Sequence, residues 1–327
     1  MHPTVAHGWN SSPPNSPRYT AIQHEPKAEL HIHAGGAFPP GYLLEIANDE
    51  ELLELTQFID KLKQGMDYKE AFAVFPLISR IVNTNERLEE GAFRICESLK
   101  ADGVKVAELR SGLKRLAGSD EKGYLKALLR GVQRAQSESF SCKVILSVQR
   151  DSTKEFVEKT VELATQYMYR GVVGIDISGD STKGTIKQHI TTLQKARSAG
   201  LFITAHIGES YEEIDQMDIL QKLKPHRIGH GVCLCLPAIA WIKEHKIPVE
   251  VCPTSARLVS MHQPNEIHPW IIEHRDNGHP IVICTDDPTV FGVNVSDELY
   301  SLKNILTLDQ ITEIAKSGLK HAFKANM

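Results

Sequence analysis

The sequence of 327 residues predicts an α/β fold, a (β/α)8 barrel with a helical insertion after its first strand. Eight short apolar or β-branched runs recur along the chain, and amphipathic stretches separate them. The runs span residues 28–33, 104–110, 143–149, 172–178, 201–207, 227–232, 248–253 and 280–285. Because they are almost continuously apolar, they indicate a parallel sheet covered on both faces, and eight such units indicate a closed barrel.

The stretches between these runs support an alternation of strands and helices. Helices are predicted at residues 86–100, 152–167 and 185–198, where apolar side chains recur at helical spacing. Gly103 and Gly200 follow two of these helices and suit the left-handed conformation that ends a helix. An open, doubly wound sheet is the alternative, but no Gly-x-Gly-x-x-Gly follows a run, so no dinucleotide site is expected.

The first 23 residues differ in composition from the rest of the chain. They are rich in Ser, Pro, Asn and His, so residues 1–23 are expected to form a disordered tail and residues 24–327 a single catalytic barrel domain. The tail has no apolar segment typical of a secretory signal, and its only arginine, Arg18, argues against a transit peptide. Six cysteines without Cys-x-x-Cys spacing indicate reduced thiols. Together these features predict a cytoplasmic protein.

The charge of the chain limits its partners. The formal net charge is −4, the pI is about 6.4, and no basic stripe stands out, so nucleic acid is not expected as a partner. No apolar run approaches the length of a membrane span. We therefore expect a small-molecule ligand, neither nucleic acid nor a membrane, and a chain that works as a monomer.

The stretch between the first two strands, residues 41–101, is long enough for several helices. In a barrel this insertion lies over the C-terminal mouth. Phe72 and Phe75 are three residues apart, so both rings can face the mouth as a lid. Alternatively, the two rings only pack the insertion. Both explanations stay open at this point.

Two histidines at the end of the first strand, His31 and His33, are the most informative pair in the chain. Side chains at positions i and i+2 of a strand project from the same face, so the two imidazoles lie together. Such a pair suits two metal ligands, whereas a chance pair on a surface strand is the commoner origin of an isolated motif. The ends of the later strands favour the metal site.

Those later strands end in further candidate site residues. They are Gly179 after the fourth strand, His206 and Glu209 after the fifth, His230 in the sixth, and Asp286 and Asp287 after the eighth. Because the C-terminal ends of barrel strands converge on one pocket, these groups are expected to meet there. Three imidazoles and a carboxylate form a site suited to Zn²⁺, which lowers the pKa of bound water toward ~7.

Four motifs, in this order, resemble those of the adenosine/AMP deaminase family. They are His31-x-His33, His206-x-Gly-Glu209, Arg227-Ile-Gly-His230 and Thr285-Asp-Asp-Pro288. The segment AELRSGLKR at residues 107–115 is most similar to the adenosine deaminase-like branch, the N6-methyl-AMP deaminases. The resemblance covers residues 27 to about 320 and implies a barrel of the metal-dependent hydrolase type with a purine substrate.

The same resemblance implies roles for individual residues. It implies one zinc ion per chain, bound by His31, His33, His206 and Asp286. It implies that Glu209 protonates N1 of the purine while water attacks C6, and that His230 orients the attacking hydroxide. The implied substrate contacts are Asp287 to N7, the backbone of Gly179 to N3, and His33 and Gly35 in the substrate pocket. The chemistry favours such groups independently, since attack at C6 builds charge on a ring nitrogen that an acid must neutralise.

Each of these residues also has a structural explanation. A single buried histidine is usually a hydrogen-bonded core residue, and the Asp-Asp-Pro segment at residues 286–288 can form a turn after a strand. Glu209 can open a helix over residues 209–223, where the helix dipole stabilises an acid. The remaining histidines without tight spacing are expected at the surface: His262, His268, His274 and His279.

Position 35 departs from the family pattern. The family carries a polar residue there, Asp in adenosine deaminases, Asn in the methyl-AMP branch and Glu in adenine deaminases, whereas this chain has Gly35. Loss of a carboxylate removes repulsion against a 5′-phosphate and so favours a nucleotide. Arg80, Lys114 and Arg115 are the cations available for such a phosphate, and each can equally be a solvated surface residue. Ser79 stands where the methyl-AMP branch carries His, which speaks against that branch.

These observations predict a zinc-dependent hydrolase that deaminates a 6-amino or 6-alkylamino purine nucleoside or nucleotide. Adenosine, AMP and N6-methyl-AMP are the candidate substrates, and the product is of the inosine type. One alternative is a related amidohydrolase of other specificity, such as an adenine deaminase or a cyclic-amide hydrolase. Another is a non-catalytic purine-binding relative. Glu209 and Asp287 beside the metal favour ring deamination over the opening of a cyclic amide.

Overall fold

Eight parallel strands follow one another around a barrel in the order of the sequence. The computed structural model describes residues 16–180, 183–211, 213–260 and 266–324. The strands are β1 (Lys27–His33), β2 (Val104–Gly112), β3 (Ser141–Gln149), β4 (Val172–Ser178), β5 (Phe202–Ile207), β6 (Arg227–His230), β7 (Val249–Val251) and β8 (Ile281–Ile283). The predicted (β/α)8 barrel is confirmed.

The barrel closes where the chain segment after β8 meets β1. The backbone N–H of His33 donates to the carbonyl of Asp286 at 2.9 Å, and the N–H of Asp286 donates to the carbonyl of His31 at 2.8 Å. A parallel bridge between Ile32 and Asp286 accompanies these two hydrogen bonds. We call this contact the closure seam. It places the end of β8 directly beside the end of β1.

Helices connect the successive strands, as alternation predicted. They are α1 (Pro17–His24), α2 (Pro40–Ile46), α3 (Asp49–Gln64), α4 (Tyr68–Phe72), α5 (Phe75–Ile81), α6 (Asn85–Ala101), α7 (Glu121–Arg134), α8 (Lys154–Gln166), α9 (Ile190–Ser198), α10 (Gln216–Asp218), α11 (Leu236–Glu244), α12 (Pro253–Val259), α13 (Pro269–Asn277), α14 (Pro288–Phe291), α15 (Val295–Ser301) and α16 (Leu308–Gly318). None of the helices in the described ranges has the length and apolarity that a bilayer crossing requires.

Helix α6 illustrates how the amphipathic pattern becomes structure. Its apolar face, which includes Leu88, Ile95 and Leu99, is buried against the barrel. The Thr84 hydroxyl caps its first turn by accepting from the N–H of Arg87 at 3.3 Å. Beyond its last turn Gly103 adopts a φ of +82°, the left-handed conformation that was predicted there, and Gly200 after α9 has a φ of +98°.

The predicted N-terminal tail extended too far into the chain. Residues 1–15 lie outside the described residues, but Pro17–His24 forms α1, which packs against α15. Tyr19 and Ile22 are buried, and the Tyr19 hydroxyl donates to Asp297 Oδ1 at 3.1 Å. These two side chains lie three residues apart on one face of a single short helix. The composition of the whole 23-residue segment hid that short apolar face.

Helices α2 to α6 form the predicted insertion. The Phe72 ring stacks on Phe75 with 5.5 Å between ring centroids, and it meets the edge of Phe291 at 6.1 Å. Phe291 belongs to α14, which begins directly after the last strand-end acids. The two rings therefore pack the insertion and also cover this part of the barrel mouth, so the two explanations offered for them are compatible.

Candidate active site

The ends of three strands bring the four predicted metal ligands together. His31 and His33 come from the end of β1, His206 from β5, and Asp286 follows β8. One ligand atom from each of these side chains lies within 4.8 Å of the others. His33 Nε2 is 3.1 Å from His206 Nε2, and Asp286 Oδ1 is 3.3 Å from His33 Nε2. Two residues in one strand and two from distant strands thus share one centre.

Two buried carboxylates orient the imidazoles of this cluster. Glu250 in β7 lies 2.8 Å from His31 Nδ1, and Asp176 in β4 lies 3.0 Å from His206 Nδ1. A carboxylate can only accept, so each Nδ1 carries the proton and each Nε2 presents a lone pair to the centre. Sequence reasoning missed both carboxylates. The available signal was a single acid inside an otherwise apolar strand.

Buried arginines keep these carboxylates ionised. Arg110 donates to Asp176 Oδ1 at 3.3 Å and to Glu250 Oε2 at 2.8 Å, and Arg227 donates to Glu250 Oε1 at 2.7 Å. Burial alone raises the pKa of both acids, but the neighbouring imidazole and arginine charges hold the pKa of each below its ordinary value. The interior of the barrel therefore holds alternating charges that fix the predicted metal ligands on the side facing away from their centre.

The residues present fit a divalent cation. His31 Nε2 is fully buried and has no hydrogen-bond partner among the described residues. It lies 3.6 Å from Asp286 Oδ1. Burial lowers the pKa of His33 to about 3, so this imidazole is neutral, the form that coordinates a metal. Three imidazole nitrogens and one carboxylate oxygen are a donor set suited to Zn²⁺.

Glu209 and His230 lie beside this cluster. Glu209 Oε1 is 4.0 Å from His230 Nε2, and about a quarter of the Glu209 side chain is exposed. Burial raises the pKa of Glu209, and the negative charge of Asp286 adds to that effect despite the opposing influence of His206. Glu209 lies in a loop, because α10 begins only at Gln216, so the alternative that it opens a helix is wrong.

His230 ends β6 in an unusual backbone conformation. Its φ of +63° lies in the left-handed region that non-glycine residues seldom adopt, and Asp286 after β8 has a φ of +65°. Because the chain turns away at these residues, β6 and β8 end earlier than the apolar runs predicted. His230 is buried, and its Nε2 has no hydrogen-bond partner in the described part of the chain. Burial lowers its pKa well below the ordinary value, so the imidazole is neutral.

Asp287 carries an unpartnered oxygen beside these imidazoles. Its side chain is buried, and Oδ1 accepts no hydrogen bond from the residues that the structure describes. Burial and the charge of Asp286 raise its pKa well above the ordinary value. A Cβ at position 36 would lie 1.9 Å from this oxygen, so only glycine fits at Gly36. Asp287 is thus held against the loop that follows the histidine pair.

The other two predicted substrate residues lie just after β1 and β4, Gly35 in the short 3-10 turn Ala34–Gly36 and Gly179 in a loop. Gly35 follows the histidine pair, and a Cβ there would lie 4.0 Å from Lys114 Nζ and 4.0 Å from the Phe75 ring. Gly179 directly follows β4 with a φ of +84°, which favours glycine. Both glycines therefore expose backbone at the C-terminal ends of their strands.

The three candidate phosphate cations have different surroundings. Arg80 donates to Glu54 at 2.5 Å, and Arg115 donates to Glu121 at 2.7 Å. Among the described residues, no carboxylate lies within 4.0 Å of Lys114, whose ammonium donates to the Ser79 hydroxyl at 3.4 Å. Desolvation lowers the pKa of Lys114. It is therefore the cation of the three that lacks a counter-charge, and it is the one beside Gly35.

The prediction that the outlying histidines lie at the surface is wrong for two of them. His268 and His279 are buried, and His279 Nε2 donates to the carbonyl of Ile247 at 3.0 Å. His274 is half-buried, and His262 lies outside the described residues. The segment before β8 packs against the segment that leads into β7, and this packing buries His279. The spacing of the histidines in the sequence does not indicate such a contact.

The chain is similar in sequence and in structure to known deaminases. The profile of the adenosine deaminase family matches residues 26–326. An N6-methyl-AMP deaminase of Danio rerio is 30% identical over 318 residues, which cover 91% of this chain and 90% of that protein. The apo structure of the N6-methyl-AMP deaminase of Arabidopsis thaliana superposes with a TM-score of 0.85 at 28% identity, covering 94% of this chain and 95% of that one. An Arabidopsis structure with bound IMP superposes at 0.83, with 27% identity and 94% of both chains covered.

Proposed function

Because the chain belongs to the adenosine deaminase family, it is a hydrolytic purine deaminase, and we propose that its substrates are 6-amino or 6-alkylamino purine nucleoside 5′-monophosphates. The observation that carries the deaminase chemistry is the ligand cluster with Glu209 and His230 directly beside it. The observation that favours a nucleotide is the uncompensated Lys114 next to Gly35. AMP and N6-methyl-AMP fit both observations, because each has a 6-amino or 6-alkylamino purine and a 5′-phosphate.

We propose that His31, His33, His206 and Asp286 hold one zinc ion per chain. Support comes from the buried lone pairs that face one another and from the carboxylates that fix the imidazole tautomers. When bound, the ion supplies Lewis acidity that brings the pKa of water toward neutrality. Side chains of this protein carry out the proton transfers and hold the substrate.

Glu209 is the proposed acid. Water adds to C6 of the purine, and the electron pair of the C6–N1 double bond moves to N1, which takes the proton of Glu209. The raised pKa of Glu209 favours the protonated form that this step needs. His230, which lies 4.0 Å away, accepts a proton from the attacking water. The protonated His230 then gives its proton to the exocyclic nitrogen, and the C6–N bond breaks with release of ammonia or an alkylamine. The C6 hydroxyl gives its proton to the Glu209 carboxylate, which leaves a 6-oxo purine and restores the acid.

Asp287 and Gly179 are proposed to hold the purine ring. N7 of a purine is an acceptor, so its partner must donate, and a protonated carboxyl can do so. The pKa of Asp287, raised well above its ordinary value, favours this form. The backbone of Gly179 is the proposed contact to N3, and His33 borders the same pocket. These contacts orient C6 relative to Glu209.

Lys114 is proposed to recognise the 5′-phosphate. Gly35 has no side chain, so the space between the end of β1 and the ammonium stays open. A Cβ at this position would lie 4.0 Å from Lys114 Nζ. The Ser79 hydroxyl beside the ammonium offers a further donor. Ser79 had been counted against the methyl-AMP branch, but it lies at the cation that a phosphate needs.

The alternative functions have less support. An adenine deaminase would leave Lys114 without a ligand charge, and a cyclic-amide hydrolase would not use a protonated Asp287. A purine-binding relative without catalysis would not require the acid and base arrangement of Glu209 and His230. We also propose that the protein is a monomer and that it works in the cytoplasm. Its six free thiols support a reducing compartment such as the cytoplasm.

The first prediction tests the acid. Glu209→Gln keeps the size of the side chain but cannot supply a proton, so kcat should fall ~10²–10⁴-fold while the fold and the zinc content stay unchanged. Loss of absorbance at the adenine band measures turnover of AMP, N6-methyl-AMP, adenosine, N6-methyladenosine and adenine by both proteins. A variant with wild-type kcat would show that Glu209 is not the acid. A wild-type enzyme that converts none of these compounds would overturn the proposed function.

A further inference from the structure

We infer that Arg150, Glu213 and Asp215, which we call the loop clamp, position the two substrate loops of the active site relative to each other. The first loop, described at residues 208–211 and 213–215, carries Glu209, and the second, described at residues 179–180 and 183–186, begins with Gly179. The inference rests on the proposed function only for the roles of Glu209 and Gly179. The contacts themselves follow from the structure.

One arm of the clamp fixes the loop that carries the proposed acid. Arg150 directly follows β3, and its Nη2 donates to Glu213 Oε1 at 2.6 Å and to the carbonyl of His206 at 2.8 Å. The other carboxylate oxygen of Glu213 accepts from the backbone N–H of Gly208 at 2.5 Å. One ion pair thus holds both the last residues of β5 and the residue just before Glu209.

The other arm reaches the loop after β4. Asp215 Oδ1 accepts from Arg150 Nε at 3.5 Å, and its Oδ2 accepts from the backbone N–H of Ile186 at 2.7 Å. The loop that begins at Gly179 is therefore tied, through one arginine, to the loop that carries Glu209. Because Gly179 is the proposed N3 contact and Glu209 the N1 acid, the clamp spans the two edges of the purine.

The burial of these charges argues for a positioning role. The side chains of Arg150 and Glu213 are completely buried, and that of Asp215 is 2% exposed. Burial raises the pKa of Glu213 to about 7, although the charge of Arg150 opposes the shift. Burying such groups is costly unless they are paired with one another, and a connecting loop alone does not need them. Further contacts leave little freedom for the Glu209 backbone, whose carbonyl accepts from the Ser260 hydroxyl at 2.8 Å. A displacement of ~1 Å at a reacting group can cost ~10²-fold in rate.

The second prediction tests the clamp with conservative changes. Glu213→Gln keeps the volume and the acceptor for Gly208 but removes the charge that Arg150 holds. We expect kcat to fall ~10–100-fold with a smaller change in KM, because positioning of the acid fails more than binding. The pH profile of kcat should change as well, while zinc content stays at the wild-type level. Asp215→Asn serves as a milder second variant, with a smaller loss of kcat expected.

A second readout does not depend on activity. Amide hydrogen exchange at residues 207–211 and at Ile186 should become faster in both variants. Glu89→Gln, which removes a carboxylate from a surface pair with Arg130 on α6 and α7, is the matched control and should change neither readout. Wild-type kcat, pH profile and exchange in Glu213→Gln and Asp215→Asn, with only a lower Tm, would overturn the inference. If the wild type lacks deaminase activity, the proposed function fails, and the exchange experiment still decides the clamp.

Discussion

Two consecutive glycines after the histidine pair serve different purposes. At Gly36 a side chain is excluded, because its Cβ would collide with Asp287. At Gly35 a small side chain fits, and its nearest neighbours would be Lys114 and Phe75. Gly35 therefore leaves space that a ligand can occupy, whereas Gly36 allows close packing against Asp287. We therefore expect a substitution at position 35 to change substrate preference without disturbing the fold.

The third prediction concerns Gly35→Asp. The Cβ of the new aspartate would lie 4.0 Å from Lys114 Nζ. Its carboxylate can therefore pair with the ammonium, which is then no longer available to a phosphate. A carboxylate beside a phosphate also repels it, at a cost on the order of a few kcal/mol. The ratio of kcat/KM for AMP over adenosine should therefore fall by at least ~10-fold, measured by the same absorbance assay.

Two sets of variants serve as controls for that prediction. Lys114→Ala should lower the same ratio, whereas Arg115→Ala and Arg80→Ala should not, because both arginines already pair with glutamates. If the ratio is unchanged in both Gly35→Asp and Lys114→Ala, the 5′ group does not lie at this edge of the mouth. Recognition would then have to come from the insertion.

Single residues were predictable from the sequence where a pattern marks them. His31, His33, His206 and Asp286 stand at strand ends, and strand ends converge in a barrel, so their meeting could be expected. Asp176 and Glu250 lie inside apolar strands, where nothing in the spacing separates a ligand-orienting acid from an ordinary strand residue. The contacts of Arg150 join segments far apart in the sequence and depend on how the loops fold.

At the scale of elements, helix α15 carries a buried acid outside the active site. Glu298 Oε1 accepts from the backbone N–H of Thr254 at 3.1 Å, which ties α15 to the start of α12. Its other oxygen has no partner within the described ranges of the chain. Burial raises the pKa of Glu298 to about 7, although Arg257 opposes the shift. The folded protein therefore favours the protonated form of this side chain.

The fourth prediction follows from this raised pKa. The folded-state pKa of Glu298 exceeds the unfolded value, so its stabilising contribution is complete at low pH and is lost as the pH rises through about 7. Glu298→Gln is neutral throughout, so it should exceed the wild type in stability at pH 8, on the order of 1–3 kcal/mol, and match it near pH 5. Tm measured from pH 5 to pH 8 tests this. Parallel curves for the two proteins would contradict it.

Elements were predicted best where the amphipathic pattern is long. Helix α6 and its capping Gly103 agree with the prediction to within a residue or two. The runs for β6, β7 and β8 were predicted too long, since apolar residues continue after the chain has left the sheet. The backbone turns at His230 and Asp286, where φ is positive, and an apolar run contains no mark of such a turn. Helix α1 was missed because it is short.

At the scale of the whole molecule, the proposed zinc ion joins distant parts of the barrel. Its ligands come from β1, β5 and the segment after β8, so the ion adds cross-links that the unfolded chain lacks. Binding to the folded state alone stabilises a protein by ~4 kcal/mol at a free ligand concentration of 1,000 times Kd. The metal should therefore matter for stability as well as for activity.

The fifth prediction concerns removal of this metal. Elemental analysis of the purified 36.4 kDa chain should give about one zinc per chain, with light scattering reporting a monomer. Treatment with a chelator should abolish deamination and lower Tm, and added Zn²⁺ should restore both. An extensively demetallated preparation that kept full activity would contradict the proposed metal site.

The closure seam has a consequence for the order in which the protein matures. It unites the first strand with the segment after the last, so His33 and Asp286 come together only when nearly the whole barrel sequence is available. During synthesis on the ribosome, a nascent chain already carries both β1 histidines yet lacks their carboxylate partner. Incomplete chains would therefore lack the proposed metal centre, and we expect deaminase activity only after the barrel has closed.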